Sequence, residues 1–192
     1  MIIFDLDGTL ANCDHRRHFV EFPGTWEWIE KEQVYLHHDS GVKREKIIDY
    51  KAFYEACDQD DPIQHTLEIL INCMLSGRKV EIWSGRCSSV REKTMDWLKR
   101  NLYSSHRIRS SLLYDPELKV KMREIGDSTP DDVLKEQWLD EYLNSTSPRQ
   151  WQEEYKNKHP ISMVFDDRPK VVRMWRRRGI FVFDVNQSGK EF

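Results

Sequence analysis

The chain opens with a short apolar run, Met1-Ile2-Ile3-Phe4, which breaks directly into Asp5-Leu6-Asp7-Gly8-Thr9-Leu10. An apolar run this short, closed by a turn signal, reads as a buried strand. Side chains two apart in a strand point the same way, so Asp5 and Asp7 at its carboxyl end are placed to reach one ligand. Two carboxylates this close repel each other unless a cation lies between them or one keeps its proton. An Asp-Gly turn after a strand is common in itself. The motif therefore takes its meaning from the rest of the chain.

A length of 192 residues suits one domain, 1–192, with a real core and an insertion. The 30 basic and 33 acidic residues nearly balance, and a net charge of −3 argues against holding long nucleic acid by electrostatics alone. No apolar stretch is long enough to span a membrane, and the start lacks a signal peptide's basic and cleavage regions. Cys13, Cys57, Cys73 and Cys87 show no metal-like spacing and no CxxC, so free thiols in a reducing cytoplasm are expected.

Strands and helices then alternate. Ile63, Leu67, Leu70, Ile71 and Met74 recur at helical spacing over 62–75, and Gly77 stands where a helix stops. A strand over 79–83 runs into a Ser84-Gly85-Arg86 turn, and a helix comes next over 90–101. The stretch 119–123 reads as a strand despite its alternating charge. A helix over 130–143 carries Pro in its first turn. A strand over 161–165, a helix over 169–178 and a strand over 180–183 complete the chain. This alternation predicts a doubly wound α/β domain with a mostly parallel, Rossmann-like sheet. Residues 14–61 do not fit it. Their aromatic and charged patches (Trp26, Trp28, Ile29, Tyr35, then Ile47, Ile48, Tyr50, Phe53, Tyr54) read as a small helical cap inserted over the sheet edge.

Ligands of such sheets bind at the carboxyl ends of the strands. Four deliveries meet there: Asp5 and Asp7; Ser84, Gly85 and Arg86, with a hydroxyl and open amides; Lys135 on a helix's first turns; and Asp166-Asp167. In composition this is a metal-assisted phosphoryl-transfer site.

In this order, Asp5-Leu6-Asp7-Gly8-Thr9, Ser84, Lys135 and Asp166-Asp167 resemble the four motifs of the haloacid dehalogenase superfamily of phosphatases. Within it, the stretches 123–127, 131–136 and 165–176, the Ser-Gly-Arg turn, Arg16 and the closing residues 184–192 resemble the 3′-phosphatase domain of phage polynucleotide kinases. The segment 14–61 is longer than that domain's usual insertion. No phosphate-cradling, glycine-rich kinase loop precedes Asp5, so kinase activity is not expected of this chain.

The resemblance implies a mechanism. Asp5 attacks phosphorus to form an aspartyl-phosphate. Asp7 protonates the leaving hydroxyl and then activates the hydrolytic water. Mg²⁺ is held by an Asp5 oxygen, the Asp7 carbonyl and Asp166, with Asp167 direct or through water. Ser84 and nearby amides hold phosphate oxygens, Lys135 offsets the charge where two anions meet, and Thr9 orders the first loop.

Other residues carry two readings each. Arg16 and Arg86 flank the motif loops and are read as gripping a nucleotide phosphate or base, against solvated surface. Arg123 and Asp127 either shape the substrate pocket or form a structural ion pair. Asp131 orients Lys135 or Arg16, or caps its helix. Arg173, Arg176, Arg177 and Arg178 suggest a nucleic-acid patch, but Val171, Val172 and Trp175 take the buried face, so a solvated outer face is preferred. His15, His18, His37 and His38 lack ligand spacing. The insertion's aromatics either stack a base or pack a small cap, and packing is preferred.

The expected activity is therefore that of a Mg²⁺-dependent phosphomonoesterase acting on a polynucleotide 3′-phosphate or a nucleoside monophosphate. A separate kinase or ligase is a possible partner. Phosphatase action on a non-nucleotide metabolite is the alternative. A catalytically silent binding module is the third reading, and the intact acid and lysine set opposes it.

Overall fold

The computed structural model describes residues 1–21, 26–46, 48–103, 118–145 and 159–186. Ile47 and the closing residues 187–192, both used in the sequence reading, lie outside these. Ile2–Phe4 forms β1, and Ala11–Asn12 forms β2. Next come Trp26–Ile29 (β3), Val34–His37 (β4), Lys43–Arg44 (β5), Tyr50–Glu55 (α1) and Asp61–Pro62 (β6). Alternation then sets in: Gln64–Leu75 (α2), Val80–Cys87 (β7), Arg91–Tyr103 (α3), Lys119–Arg123 (β8), Asp131–Ser145 (α4), Met163–Asp166 (β9), Pro169–Arg177 (α5) and Val182–Asp184 (β10).

Five of these strands make one parallel sheet in the order β10-β9-β1-β7-β8, the doubly wound α/β arrangement. From β1 the chain winds outward through β7 and β8, then returns to the other side of β1 for β9 and β10. The strand order therefore switches at β1, and the crevice outside its carboxyl end is where such a sheet binds ligands. Both faces are covered. Ile2 and Phe4 pack with Leu67, Leu70, Trp97 and Leu98 on one side. Ile3 packs with Trp83, Trp138, Val171 and Trp175 on the other. Burial on both faces explains why β1 is a continuous apolar run rather than an alternating one. Phe4, Phe165 and Phe183 stack across three neighbouring strands, with ring centroids 4.5 and 4.7 Å apart.

The 84–86 turn expected from sequence is instead absorbed into β7, which runs on to Cys87. Its pairing with β8 jumps from Ser84↔Met122 to Cys87↔Arg123, so Gly85 and Arg86 form a bulge. Such an irregularity re-aims side chains at a sheet's working edge.

The insertion also differs from its expected helical character. β3, β4 and β5 form an antiparallel sheet, and among the described residues the helical part is confined to α1 and short 3₁₀ turns at Asp14–Phe19 and Cys57–Gln59. The period of two in Trp26-Glu27-Trp28-Ile29 explains the strands: Trp26 pairs with His37 and Trp28 with Tyr35, each with rings in contact. The segment enters and leaves through a two-stranded stem in which Ala11 pairs with Pro62 and Asn12 with Asp61.

On α5, Val171, Val172, Met174 and Trp175 are buried while Arg173, Arg176 and Arg177 are turned outward, the solvated face that the apolar spacing favours. Arg177 and Arg178 pair with Glu136, and Arg178 also with Asp140. Among the described residues, no helix is long and apolar enough to cross a membrane.

Candidate active site

Asp5 comes directly after β1, its amide bonded to the Phe165 carbonyl at 2.9 Å. Lys135 reaches it from the first turns of α4. Its Nζ donates to Asp5 Oδ1 at 2.7 Å and to Asp166 Oδ2 at 2.8 Å, with all three side chains essentially buried. Burial works against the lysine's charge, but the Asp166 and Asp5 carboxylates hold its pKa above the ordinary lysine value. The Asp5 carboxyl is pushed well above the usual range by burial, opposed by Lys135 and reinforced by Asp166 and Asp167. One oxygen each from Asp5, Asp166 and Asp167 lies within 4.8 Å of the others. Burial and Asp166 push the Asp167 carboxyl up to about 6. A set of oxygen donors this acidic and this close fits a hard divalent cation such as Mg²⁺.

The first loop supports this cluster. Thr9, fully buried, donates its hydroxyl to Asp167 Oδ1 at 3.3 Å, and its own carbonyl accepts from the Thr66 hydroxyl. Gly8 has φ +80°, and a Cβ there would lie 2.0 Å from Asp167 Oδ2. Glycine is required at this position both by the backbone conformation and by the approach of the acid.

The Asp7 carboxylate does not join this cluster, although Asp7 lines the same cavity as Asp5. The Asp7 carboxylate instead accepts from Arg16 Nη2 at 2.5 Å and from Arg86 Nε and Nη2 at 2.9 and 2.5 Å. Burial alone would raise the Asp7 carboxyl, but the Arg86 and Arg16 guanidinium groups bring it down to about 2. Both arginines are wholly buried. They are neither solvated surface nor lining of the site's cavity, as a direct grip on substrate requires. Both also bond Asp60, which takes Arg16 Nε and Nη2 at 2.7 Å each and Arg86 Nη2 at 2.5 Å, while Arg16 Nη1 donates to the Phe53 carbonyl and Arg86 Nη1 to the Thr94 hydroxyl. His15 Nε2 also lies 2.9 Å from Asp60.

Asp60 is not legible from sequence. It sits within Asp58-Gln59-Asp60-Asp61, an acidic run like any solvated segment end. Only Arg16 and Arg86, buried and in need of a counter-charge, signal that such a partner must exist.

Ser84 is fully buried, and its Oγ accepts from the Arg86 amide at 3.2 Å. Arg123 is ion-paired with Asp131 and Asp127 and also lies on the cavity wall. It donates to the Gly85 carbonyl at 2.9 Å and the Thr129 carbonyl at 2.6 Å. Asp131 is bonded not to Lys135 or Arg16 but to Arg123 and Arg168, which it bridges. A Cβ on Gly85 would stand 2.6 Å from Asp131 Oδ1, so the bulge glycine lets the acid pack against the strand. Arg168, its side chain 43% exposed, escapes a sequence reading because it looks like a helix-start cation.

These groups surround a cavity of about 980 Å³. Asp5, Asp7, Lys135 and Asp167 line it together with Arg123 and Arg168. Arg17 of the 3₁₀ turn and Tyr50, Phe53 and Tyr54 of α1 complete the wall, so the insertion lies over the site.

A parallel sheet switching at β1, with a buried Asp-Lys pair, an acid pair and a serine at the β7 bulge beside that switch, defines a phosphatase of the haloacid dehalogenase type. The family model "Polynucleotide kinase PNKP phosphatase domain" matches residues 44–189, and the chain belongs to that family. The match takes in Asp60, Ser84, Lys135, Asp166 and Asp167, while Asp5 and Asp7 precede it.

Among solved structures, a chain of the Pnkp1/Rnl/Hen1 RNA repair complex superposes with a TM-score of 0.52 at 23% identity, covering 96% of this chain and 41% of its own length. A chain of a Pnkp1/Rnl/Hen1 complex superposes with a TM-score of 0.54 at 24% identity, with 96% and 45% covered. At these identities the likeness is one of fold. The chain spans less than half the length of either neighbour. No curated protein matches.

Proposed function

We propose that this phosphatase removes a terminal phosphate from nucleotides, first among them the 3′-phosphate of a polynucleotide end, through an aspartyl-phosphate on Asp5. The observation that carries this reading is the pairing of buried Asp5 with Lys135 at 2.7 Å, facing a cavity far larger than a phosphate. Membership of the polynucleotide kinase phosphatase family supports the nucleic-acid end over a sugar phosphate.

In the first half-reaction an Asp5 oxygen forms a bond to phosphorus as the bond to the leaving 3′ oxygen breaks, and that oxygen takes a proton from Asp7. In the second, water attacks phosphorus, Asp7 accepts the water's proton, and the acyl-phosphate bond breaks to restore Asp5. Asp7 rests ionised between Arg86 and Arg16; the negative charge of an arriving phosphate raises its proton affinity, so that it takes up from solvent the proton it then gives to the leaving oxygen. Lys135 keeps the Asp5 carboxylate and the phosphoryl group from repelling each other. Gly85, which lines the cavity, offers its amide to a phosphate oxygen, and buried Ser84 supports that bulge by accepting from the Arg86 amide. Mg²⁺ would be held by Asp5, Asp166 and Asp167 with the Asp7 carbonyl, and when bound it offsets the charge gathered on the phosphoryl oxygens.

The neighbouring structures carry Rnl and Hen1 beside Pnkp1, which supports a separate kinase or ligase as a partner here. The described cysteines are all free thiols, in keeping with a cytoplasmic enzyme.

Phosphate release from a panel tests the reading: 3′-phosphorylated oligonucleotides, 3′- and 5′-mononucleotides, and sugar phosphates. Preference for 3′-phosphorylated ends is expected. Preference for sugar phosphates over every nucleotide overturns the substrate class.

A further inference from the structure

Helix α1 carries three aromatics toward the site, and the structure treats them differently. Phe53 is engaged from within: the buried Arg16 guanidinium lies 4.1 Å from its ring centroid. Tyr54 is partly buried, and its hydroxyl donates to the Gly85 carbonyl at 3.5 Å, which ties the helix to the bulge beside Ser84. Tyr50 is 58% exposed, yet it lines the same cavity as Asp5 and Lys135. Its ring lies 6.2 Å from that of Tyr54 at an interplanar angle of 26°. The i,i+4 spacing places one ring over the other on a single helix face. One face of Tyr50 is thereby backed by an anchored ring, and an aromatic surface is left turned to solvent at the cavity.

Packing does not account for this placement, because more than half of the residue stays in water. A cavity of about 980 Å³ also exceeds what a phosphate needs; it falls in the range, about 300–1,000 Å³, of sites that enclose whole small molecules. Aromatic side chains held with an open face are how proteins hold unpaired bases without reading their sequence. Arg123 and Arg168, both paired with Asp131, line the same cavity.

We infer that Tyr50 is a base-stacking residue: the nucleobase of the terminal nucleotide lies on its outer face while the 3′-phosphate reaches Asp5. The inference rests on the nucleotide reading of the substrate given above, and it makes α1 of the insertion a specificity element. Stacking is tolerant of base identity, so the contact serves any terminal base.

The test compares wild type, Tyr50→Ala and Tyr50→Phe on a 3′-phosphorylated oligonucleotide and on the same oligonucleotide with an abasic terminal sugar. Stacking at one base predicts that Tyr50→Ala raises KM by about 10-fold on the normal substrate with kcat little changed, and that Tyr50→Phe behaves as wild type. On the abasic substrate all three enzymes should share the raised KM. Equal KM for wild type and Tyr50→Ala on the normal end overturns the inference. So does an equal penalty for Tyr50→Ala on both substrates, which would mark a structural role. If wild type releases no phosphate from either oligonucleotide but does so from sugar phosphates, the nucleotide reading itself has failed.

Discussion

Arg16 and Asp60 meet through two parallel hydrogen bonds, from Nε to Oδ1 and from Nη2 to Oδ2 at 2.7 Å each, with neither side chain exposed. The arginine comes from the start of the insertion and the acid from its end. Their pairing thus closes the segment on itself and delivers the free edge of the guanidinium to Asp7. Arg86 from the β7 bulge completes the arrangement, donating to Asp7 and Asp60 alike.

Removing Asp60 should therefore cost more than one contact. Asp60→Ala leaves two buried guanidinium groups short of a counter-charge, and breaking a buried pair this way costs about 3–5 kcal/mol. Urea unfolding should show this loss. Phosphate release should fall as well, because Asp7 loses its fixed position. Asp60→Ala with wild-type stability and wild-type activity contradicts this account of the quartet.

Acid stability offers a second check on Asp7. Its carboxyl lies near 2 in the folded protein, held down by Arg86 and Arg16, against a usual value near 3.8. A depressed pKa adds stability that is fully present above the unfolded value and is lost as pH falls from there through about 2. Between pH 5 and pH 3, unfolding free energy should fall less steeply in Asp7→Asn than in wild type, as read by denaturant titration at each pH. An identical slope would show that the arginines do not act on Asp7.

The family likeness and the winding of the fold are legible from the chain's beginning, because β1 and β9 are short apolar runs ending in acids. What sequence hides is direction. Period two places Asp5 and Asp7 on one side, but the chain leaves the strand at Asp5, so Asp7 swings to the arginines while Asp5 keeps Lys135. The cap sheet is hidden for another reason: clustered aromatics within 26–37 suit either period over so short a span, and cross-strand pairs such as Trp28–Tyr35 become visible only when the partner strand is known. The partners of Asp131 escape the sequence, which offers Lys135, Arg16 or a helix cap, because Arg123 and Arg168 come from two different strand ends.

Gly8 should tolerate no side chain. Gly8→Ala meets a positive φ and drives a Cβ to 2.0 Å from the Asp167 carboxylate, so the acid must move. The Mg²⁺ concentration giving half-maximal phosphate release should rise by at least about 10-fold, in line with the effect of disturbing a metal ligand's support. An unchanged Mg²⁺ requirement argues against Asp167 as part of the cation site.

Lys135 neutralises a buried acid pair, so Lys135→Met should destabilise the protein by about 3–5 kcal/mol in metal-free buffer at neutral pH. Added Mg²⁺ should restore much of that stability, since a cation replaces the missing charge, but not phosphate release. Thermal unfolding with and without Mg²⁺, beside a phosphate-release assay, reads both effects. No recovery with Mg²⁺ would mean that Asp5, Asp166 and Asp167 do not bind the ion.

Asp5→Asn tests the role of Asp5 as nucleophile more directly than any other change. The variant keeps the size and shape of the side chain but removes the attacking carboxylate. With Mg²⁺ and a 3′-phosphorylated oligonucleotide, wild type should release phosphate, and Asp5→Asn should be slower by at least about 10³-fold, the scale expected when a group that forms a covalent intermediate is lost. Full Mg²⁺-dependent release by Asp5→Asn would contradict the mechanism.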